Sequence, residues 1–314
     1  MTDKPNEGVV GSVVIGLRRV VVSFVLINFG GQGRALKMAL PPLLLLLLLP
    51  LFLALVGGEV HGQDLQHGAI PSAHVSFEVK RSVRHDAECF TQGLQLYRDV
   101  LYESCGLNGR SSVRKVDPAT GNVLVQTKLP DVFAEGLTVM NGKVYVLTWK
   151  NKKLFVLDAE TLQLEVTTTF QTFNGEGWGL THDGRDALIA SDGSDRLTFL
   201  TTPKNSATPS ANLRTVSVKD KAGNPVHQIN ELEFVNGFVY ANLWYQDVIV
   251  KIDPASGQVV ERIDLKTLYP MPRAPTADCL NGIAYNSSSN TLILTGKLWP
   301  KYYFVQLNLN LEVI

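Results

Sequence analysis

Neither sign of charge prevails in this sequence: 29 Lys plus Arg stand against 29 Asp plus Glu over 314 residues, a formal net charge of zero. A nucleic-acid binder carries a basic footprint, and this chain has neither a basic tract nor an acidic tail. Nucleic acid is therefore excluded as an expected partner, and small neutral or peptide ligands remain. Histidine is sparse, and His61, His67, His74, His85, His182 and His227 show no metal-ligand spacing. No glycine-rich phosphate loop sits between a strand and a helix, and there is no Gly-x-Ser-x-Gly elbow. Zinc and serine-nucleophile chemistry are disfavoured. Cysteine is limited to Cys89, Cys105 and Cys279, an odd number that permits one internal bridge at most. The three read as small buried apolar residues. A Cys89–Cys105 bridge is the alternative, since the two fall near facing ends of adjacent predicted strands.

The first 73 residues differ from the rest. Leu43 to Leu49 is an uninterrupted leucine run flanked by Pro41, Pro42 and Pro50 and continued by Leu51 to Val56. Arg34 and Lys37 precede it; Gly57, Gly58 and a polar stretch from Glu59 to Ser72 follow. Basic, apolar and small residues in that order form a secretory signal pattern. A start at Met38 places the run where a signal peptide belongs and makes residues 1–37 an upstream extension. A start at Met1 makes Val9 to Phe29, interrupted by Arg18 and Arg19, and Leu40 to Val56 membrane-associated. The second of these reaches about 17 residues, the lower edge of the spanning range. A cleavable signal is favoured over an uncleaved anchor, and a membrane is a partner only through such an anchor. Both readings put the downstream domain, residues 74–314, in the secretory pathway: endoplasmic reticulum lumen, vacuole or extracellular space.

Helical periodicity is nearly absent after His74. Short runs rich in Val, Leu, Tyr, Phe and Thr alternate with turns such as Asn141-Gly142, Asp183-Gly184 and Asn236-Gly237, which predicts an all-β protein. Five segments align: Phe90-Thr-Gln-Gly-Leu94, Phe133-Ala-Glu-Gly-Leu137, Glu176-Gly-Trp-Gly-Leu180, Gln228-Ile-Asn-Glu-Leu232 and Cys279-Leu-Asn-Gly-Ile283. Their fourth residues, Gly93, Gly136, Gly179, Glu231 and Gly282, are 43, 43, 52 and 51 residues apart. Each unit continues with a second strand, a third ending in a motif such as Asp117-Pro-Ala-Thr-Gly121 or Asp253-Pro-Ala-Ser-Gly257, and a fourth. Four strands in such a unit make a propeller blade. The last unit lacks its fourth strand, and the leading segment His74 to Lys80 has the character to supply it. The expectation is a five-bladed β-propeller whose last blade is closed by residues near 74–82, leaving no bare sheet edge. Thr202 to Leu213 reads as a surface loop inserted in the third unit.

In such a ring, equivalent positions meet near the axis. The residues before the aligned Gly or Glu are Gln92, Glu135, Trp178, Asn230 and Asn281. A second ring follows the second strands: Gly106, Trp149, Gly193, Trp244 and Lys297. Shared polar residues and tryptophans also serve solubility and packing, and Glu135 also reads as a channel-mouth carboxylate paired with Lys297. Together, however, one carboxylate, one ammonium and several amides in an aromatic-walled pocket suit proton transfer on a small polar substrate. A calcium-dependent propeller hydrolase would need several axial carboxylates; this ring has Glu135, with Asp192 nearby. A binding-only propeller would be marked by loss of Glu135 or Lys297, and both are present. The sequon Asn286-Ser287-Ser288, between two predicted strands, is a glycosylation candidate.

The stretches Phe90-Thr-Gln-Gly-Leu94, Gly109-Arg-Ser-Ser-Val-Arg114, Ala134-Glu-Gly-Leu-Thr138, Gly177-Trp-Gly-Leu180, Asn230-Glu-Leu-Glu233, Ala241-Asn-Leu-Trp244, Leu280-Asn-Gly-Ile-Ala284 and Thr295-Gly-Lys-Leu-Trp-Pro-Lys301 run in order across the domain. In them the chain resembles the plant and bacterial glutaminyl cyclotransferase family, with the N-terminal 73 residues outside the resemblance. The resemblance implies an acyltransferase that cyclises the N-terminal glutamine of peptides and proteins to pyroglutamate with release of ammonia. It implies Glu135 as proton shuttle, with Gln92, Asn230 and Lys297 holding substrate and stabilising the oxyanion. Phe90, Trp149, Trp178 and Trp244 match the aromatic pocket, and Asn281 completes the substrate-binding set. No cofactor or catalytic metal is required; a structural calcium elsewhere stays open, and the expected state is a monomer. One departure is Cys105, which stands where a small hydroxyl residue is expected.

Overall fold

The structure, a computed structural model, describes residues 74–310; the signal or anchor segment, the Met38 start and the linker lie outside them. The chain opens on β1 (His74–Arg84) and then runs through β2 (Thr91–Tyr97), β3 (Val100–Cys105), β4 (Ser112–Val116) and β5 (Val123–Lys128). These are followed by β6 (Ala134–Met140), β7 (Lys143–Thr148), β8 (Lys153–Asp158) and β9 (Leu164–Thr169). The third set is β10 (Leu180–His182), β11 (Ala187–Ala190), β12 (Arg196–Thr201) and β13 (Asn212–Ser217). The fourth is β14 (Ile229–Val235), β15 (Phe238–Leu243), β16 (Val248–Ile252) and β17 (Val259–Asp264), and the last β18 (Leu280–Asn286), β19 (Thr291–Gly296) and β20 (Lys301–Asn310). They form five four-stranded sheets, four of them in sequence order and the fifth in the order β18-β19-β20-β1. This is the expected five-bladed propeller. β1 closes it by pairing antiparallel with β20 from His74↔Asn310 to Arg84↔Lys301. The ring is thereby sealed by hydrogen bonds between the two ends of the domain, which removes the exposed strand edge an open blade would leave.

The turns follow the chemistry of their residues. Asn141-Gly142 and Asn236-Gly237 both have positive φ at both residues, the conformation that joins two strands tightly. The first blade makes the same turn with Arg98 and Asp99, residues that carry no sequence signal for it. Asp117, Asp158 and Asp253 each accept the amide two residues on, from Ala119, Glu160 and Ala255, so the repeated Asp motif is a side-chain-capped turn. The inserted loop of the third blade ends two residues earlier than expected, because Asn212 and Leu213 belong to β13.

Both faces of each blade are covered by neighbours. One apolar cluster fills each of the five blade interfaces: one set runs from Tyr102 and Val113 to Leu137, another from Leu94 and Leu101 to Ile293 and Phe304. β4 and β6 are consequently buried along their whole length, whereas the outer β5 is largely exposed.

At the axis the inner strands approach so closely that side chains do not fit. A Cβ at Gly93 would overlap the Leu137 amide, one at Gly136 the Leu180 amide, and one at Gly179 the Asn230 carbonyl. Only the fourth blade departs, with Glu231, whose carboxylate accepts the amides of Leu94 (3.2 Å) and Ile283 (2.8 Å) from two other blades. Burial, with the neighbouring Glu233 adding to it, pushes the Glu231 carboxyl well above its ordinary range. Gly136→Ala is expected to cost about 1–3 kcal/mol through overpacking. Urea denaturation should show a lower midpoint at unchanged slope, and an unaltered midpoint would contradict the tight ring.

Candidate active site

Each inner strand is interrupted next to the axis. The pairing register shifts between Thr91 and Gly93, Ala134 and Leu137, Ile229 and Leu232, and Leu280 and Ile283. Such bulges re-aim side chains beside a site, and the residues in them are Gln92, Glu135, Asn230 and Asn281. In the third blade β10 begins only after Gly179, and Trp178 lies in the preceding connection.

At this end of the channel lies a cavity of about 220 Å³. Eight of the nine sequence-predicted residues line it: Phe90, Gln92, Glu135, Trp149, Trp178, Asn230, Trp244 and Lys297. The ninth, Asn281, does not. It is fully buried beneath the wall and donates to the Thr91 carbonyl (2.9 Å) and to Gln92 Oε1 (3.3 Å). That fixes the Gln92 amide, whose Nε2 donates to Glu135 Oε1 at 3.2 Å. Asn281 thus supports the site from below, because its bulge opens toward the first blade.

Two lining residues went unread in the sequence, Phe133 and Tyr245. Phe133 opens the second repeat motif and packs edge-on between Phe90 (6.2 Å between centroids) and Trp149 (5.6 Å). Tyr245 follows Trp244 and extends a second aromatic row, Trp178–Trp244–Tyr245, with centroids 5.3 and 4.8 Å apart. Repeat alignment could have nominated Phe133, which stands where Phe90 does; nothing in the pattern marks Tyr245.

The electrostatics centre on Glu135. Burial drives its carboxyl well above the ordinary range; Lys297 works against this and Glu176 adds to it. Lys297 is itself buried and its ammonium lies 4.8 Å from the Phe90 ring centroid. Asn230 Oδ1 is buried with no hydrogen-bond partner among the described residues. The cavity therefore offers a carboxyl of high proton affinity, a cation, a fixed amide and a free acceptor inside aromatic walls. Such a set can move a proton and steady a developing negative charge on a small polar ligand.

The glutamine cyclotransferase family model matches residues 52–307. The chain belongs to this family. A glutaminyl-peptide cyclotransferase of Arabidopsis thaliana is 38% identical over 241 residues, covering 73% of this chain and 71% of the relative. The crystal structure of Myxococcus xanthus glutaminyl cyclase aligns with a TM-score of 0.68 at 35% identity, covering 76% of this chain and 99% of that one. The family match begins at residue 52, so it reaches into the segment that the motifs leave outside the resemblance.

Below the cavity the structure overturns the reading of three unbridged cysteines. Cys89 and Cys105 form a disulfide, with Cα atoms 5.1 Å apart, and only Cys279 is free. The bridge joins the residue before Phe90 to the end of β3, which accounts for a cysteine at position 105. Burial raises the Cys279 thiol to about 11.

Glu103, also unread in the sequence, anchors a buried network at the same place. Its oxygens accept Arg114 Nε (2.8 Å), Tyr302 Oη (2.7 Å) and Thr91 Oγ1 (2.8 Å), and His85 Nε2 lies 2.9 Å away. Arg114 also pairs with Asp86 at 2.8 Å. His85, Cys89 and Glu103 lie together as three candidate metal ligands. They are already engaged, however: the sulfur in the bridge, the carboxylate on Arg114 and Tyr302, and the other imidazole nitrogen on the Trp299 carbonyl. Burial alone would raise the Glu103 carboxyl, but Arg114 and His85, with hydrogen bonds from His85 and Tyr302, hold it well below the ordinary range. A carboxyl depressed on folding contributes stability at neutral pH that is lost as pH falls through its folded value. Glu103→Gln, which leaves the buried Arg114 with only the part-exposed Asp86 as an ionic partner, is expected to cost up to about 3–5 kcal/mol at pH 7. Melting curves should show that the gap to wild type narrows toward acid pH; a pH-independent gap would contradict the ion network.

Proposed function

We propose that this chain is a glutaminyl-peptide cyclotransferase that converts the N-terminal glutamine of peptides and proteins to pyroglutamate, with Glu135 as the proton shuttle. The observation that carries the reading is one buried carboxyl of raised proton affinity in the wall of the family's pocket, held by Gln92. A carboxyl tuned upward in this way can take a proton and return it within one turnover.

In this route the α-amine attacks the γ-carbonyl carbon of its own residue. The new C–N bond forms, Glu135 takes a proton from the amine, and negative charge gathers on the carbonyl oxygen. Lys297 and the side-chain amide of Gln92 or Asn230 stabilise that oxygen. Glu135 then gives its proton to the amide nitrogen, the old C–N bond breaks, and ammonia leaves. Atoms balance with one ammonia released per ring closed. Walls of Phe90, Trp149, Trp178 and Trp244 hold the side chain curled so that amine and carbonyl meet, a proximity effect suited to a rigid cage. Side chains supply both proton transfer and charge stabilisation, so the route requires no metal or cofactor.

The same reading has the domain act as a monomer in the secretory pathway, with a glycan on Asn286. That residue is half-buried at the end of β18, and its side chain accepts the Ser288 amide at 3.0 Å.

Purified protein given a Gln-initiated peptide is expected to release ammonia with a chelator present. Glu135→Gln should lower kcat by about 10²-fold or more with KM little changed. A folded wild-type protein without turnover would sink the function, and a fully active Glu135→Gln variant would remove Glu135 from the shuttle.

A further inference from the structure

The rim of the cavity holds a carboxylate that the route above does not use. Glu176 lies in the connection between β9 and β10, and its side chain is 29% exposed. One of its oxygens, Oε2, accepts both the Trp149 indole N–H at 2.7 Å and the Trp178 indole N–H at 2.9 Å. The two indoles come from neighbouring blades, Trp149 from the end of β7 and Trp178 from the approach to β10. An indole N–H only donates, so each ring's rotation about its own axis is set by where its acceptor sits. A single atom therefore fixes two walls of the pocket relative to each other.

The backbone around Glu176 is tied to the same wall. Thr172 Oγ1 donates to the Glu176 carbonyl at 2.6 Å, and the Gly177 amide donates to the Trp149 carbonyl at 2.9 Å. Outside, Lys150 lies 3.9 Å from Glu176 Oε1 and 4.0 Å from the Trp149 ring centroid. Lys150 is largely exposed, so its pairing contributes little. A solvated rim acid without a task would not place one oxygen between two half-buried indoles.

We propose that Glu176 is a positioning residue for this site, holding the Trp149 and Trp178 walls with one carboxylate oxygen and presenting its charge to Glu135. The catalytic part of this rests on the cyclotransferase reading; the geometric part does not. Charges face Glu135 from two elements: Lys297 after β19, which favours its ionised form, and Glu176 before β10, which disfavours it. Of the cavity-lining groups from β2 and β14, Gln92, which donates to it, and Asn230 are neutral. Loss of the Glu176 charge therefore shifts Glu135 toward ionisation at lower pH.

The test uses two variants and two readouts. The sequence has four tryptophans, Trp149, Trp178, Trp244 and Trp299, so the indole ¹H–¹⁵N resonances of ¹⁵N-tryptophan-labelled protein can be assigned by single substitutions. In Glu176→Ala two of the four resonances, those of Trp149 and Trp178, should move upfield and exchange faster, and KM for the Gln-peptide should rise about tenfold or more. In Glu176→Gln the amide oxygen still accepts both indoles, so the two resonances and KM stay near wild type. The acid limb of the kcat/KM profile, which reports Glu135 in the free enzyme, should nevertheless move to lower pH. Unmoved indole resonances in folded Glu176→Ala would overturn the positioning role, and an unshifted limb in Glu176→Gln would overturn the electrostatic one. If Glu176→Ala does not fold, loss of both indole bonds in folded Glu176→Gln overturns the positioning role and their retention supports it. If wild-type protein has no turnover, the resonances still decide the geometry, and only the cyclotransferase reading fails.

Discussion

The close approach of five inner strands around one axis is the constraint from which the rest of this molecule follows. With backbone from adjacent blades meeting at Gly93, Gly136 and Gly179, there is no space for side chains at that level. The one side chain that enters, Glu231, is used to satisfy amides from the first and fifth blades. A ring this tight cannot be a pore, and it closes only when the last blade is complete, which β1 achieves on β20. The register shifts beside the glycines let the strands turn away from the crowded axis. The same shifts present Gln92, Glu135 and Asn230 to the cavity just outside it. The site is thus a by-product of how the propeller closes.

Two buried carboxylates show how environment assigns role in one scaffold. Glu103 and Glu135 are both removed from water, a change that by itself favours the protonated acid. Glu103 is met by Arg114, His85 and Tyr302 and is held ionised as a structural anchor. Glu135 is met by one neutral amide, a lysine acting at a distance and a second acid, and its proton affinity rises instead. Adjacent residues link the two: Thr91 binds Glu103, and the next residue, Gln92, binds Glu135. Rigidity in the one helps to fix the position of the other.

Much of this was legible because a propeller repeats its instructions. Asp117 and Asp253 mark equivalent turns, and the polar residue before each inner glycine marks the channel mouth. Where the repeat breaks, reading fails. Asn281 shares its register with Gln92 and Asn230, yet it turns beneath the wall to hold Gln92. Tyr245 sits in a connection whose path differs between blades. Glu176, although it heads the third repeat motif as Phe90 and Phe133 head theirs, differs from them in chemical type, so the alignment gives its place but not its part. The Cys89–Cys105 bridge could be placed as an alternative but not chosen, since spacing alone does not say whether two sulfurs face each other.

The sequence by itself determined the blade count, the closing strand and the end of the channel at which the lined cavity sits. Each is encoded locally and then repeated: apolar alternation, turn residues, and a glycine where no side chain fits. Only the tertiary structure decided which carboxylate is held low and which is driven high, that one glutamate oxygen joins two tryptophans, and that Cys89 and Cys105 pair. Those outcomes depend on distances between residues from different blades, and burial and proximity across an interface are not written in any one stretch of chain.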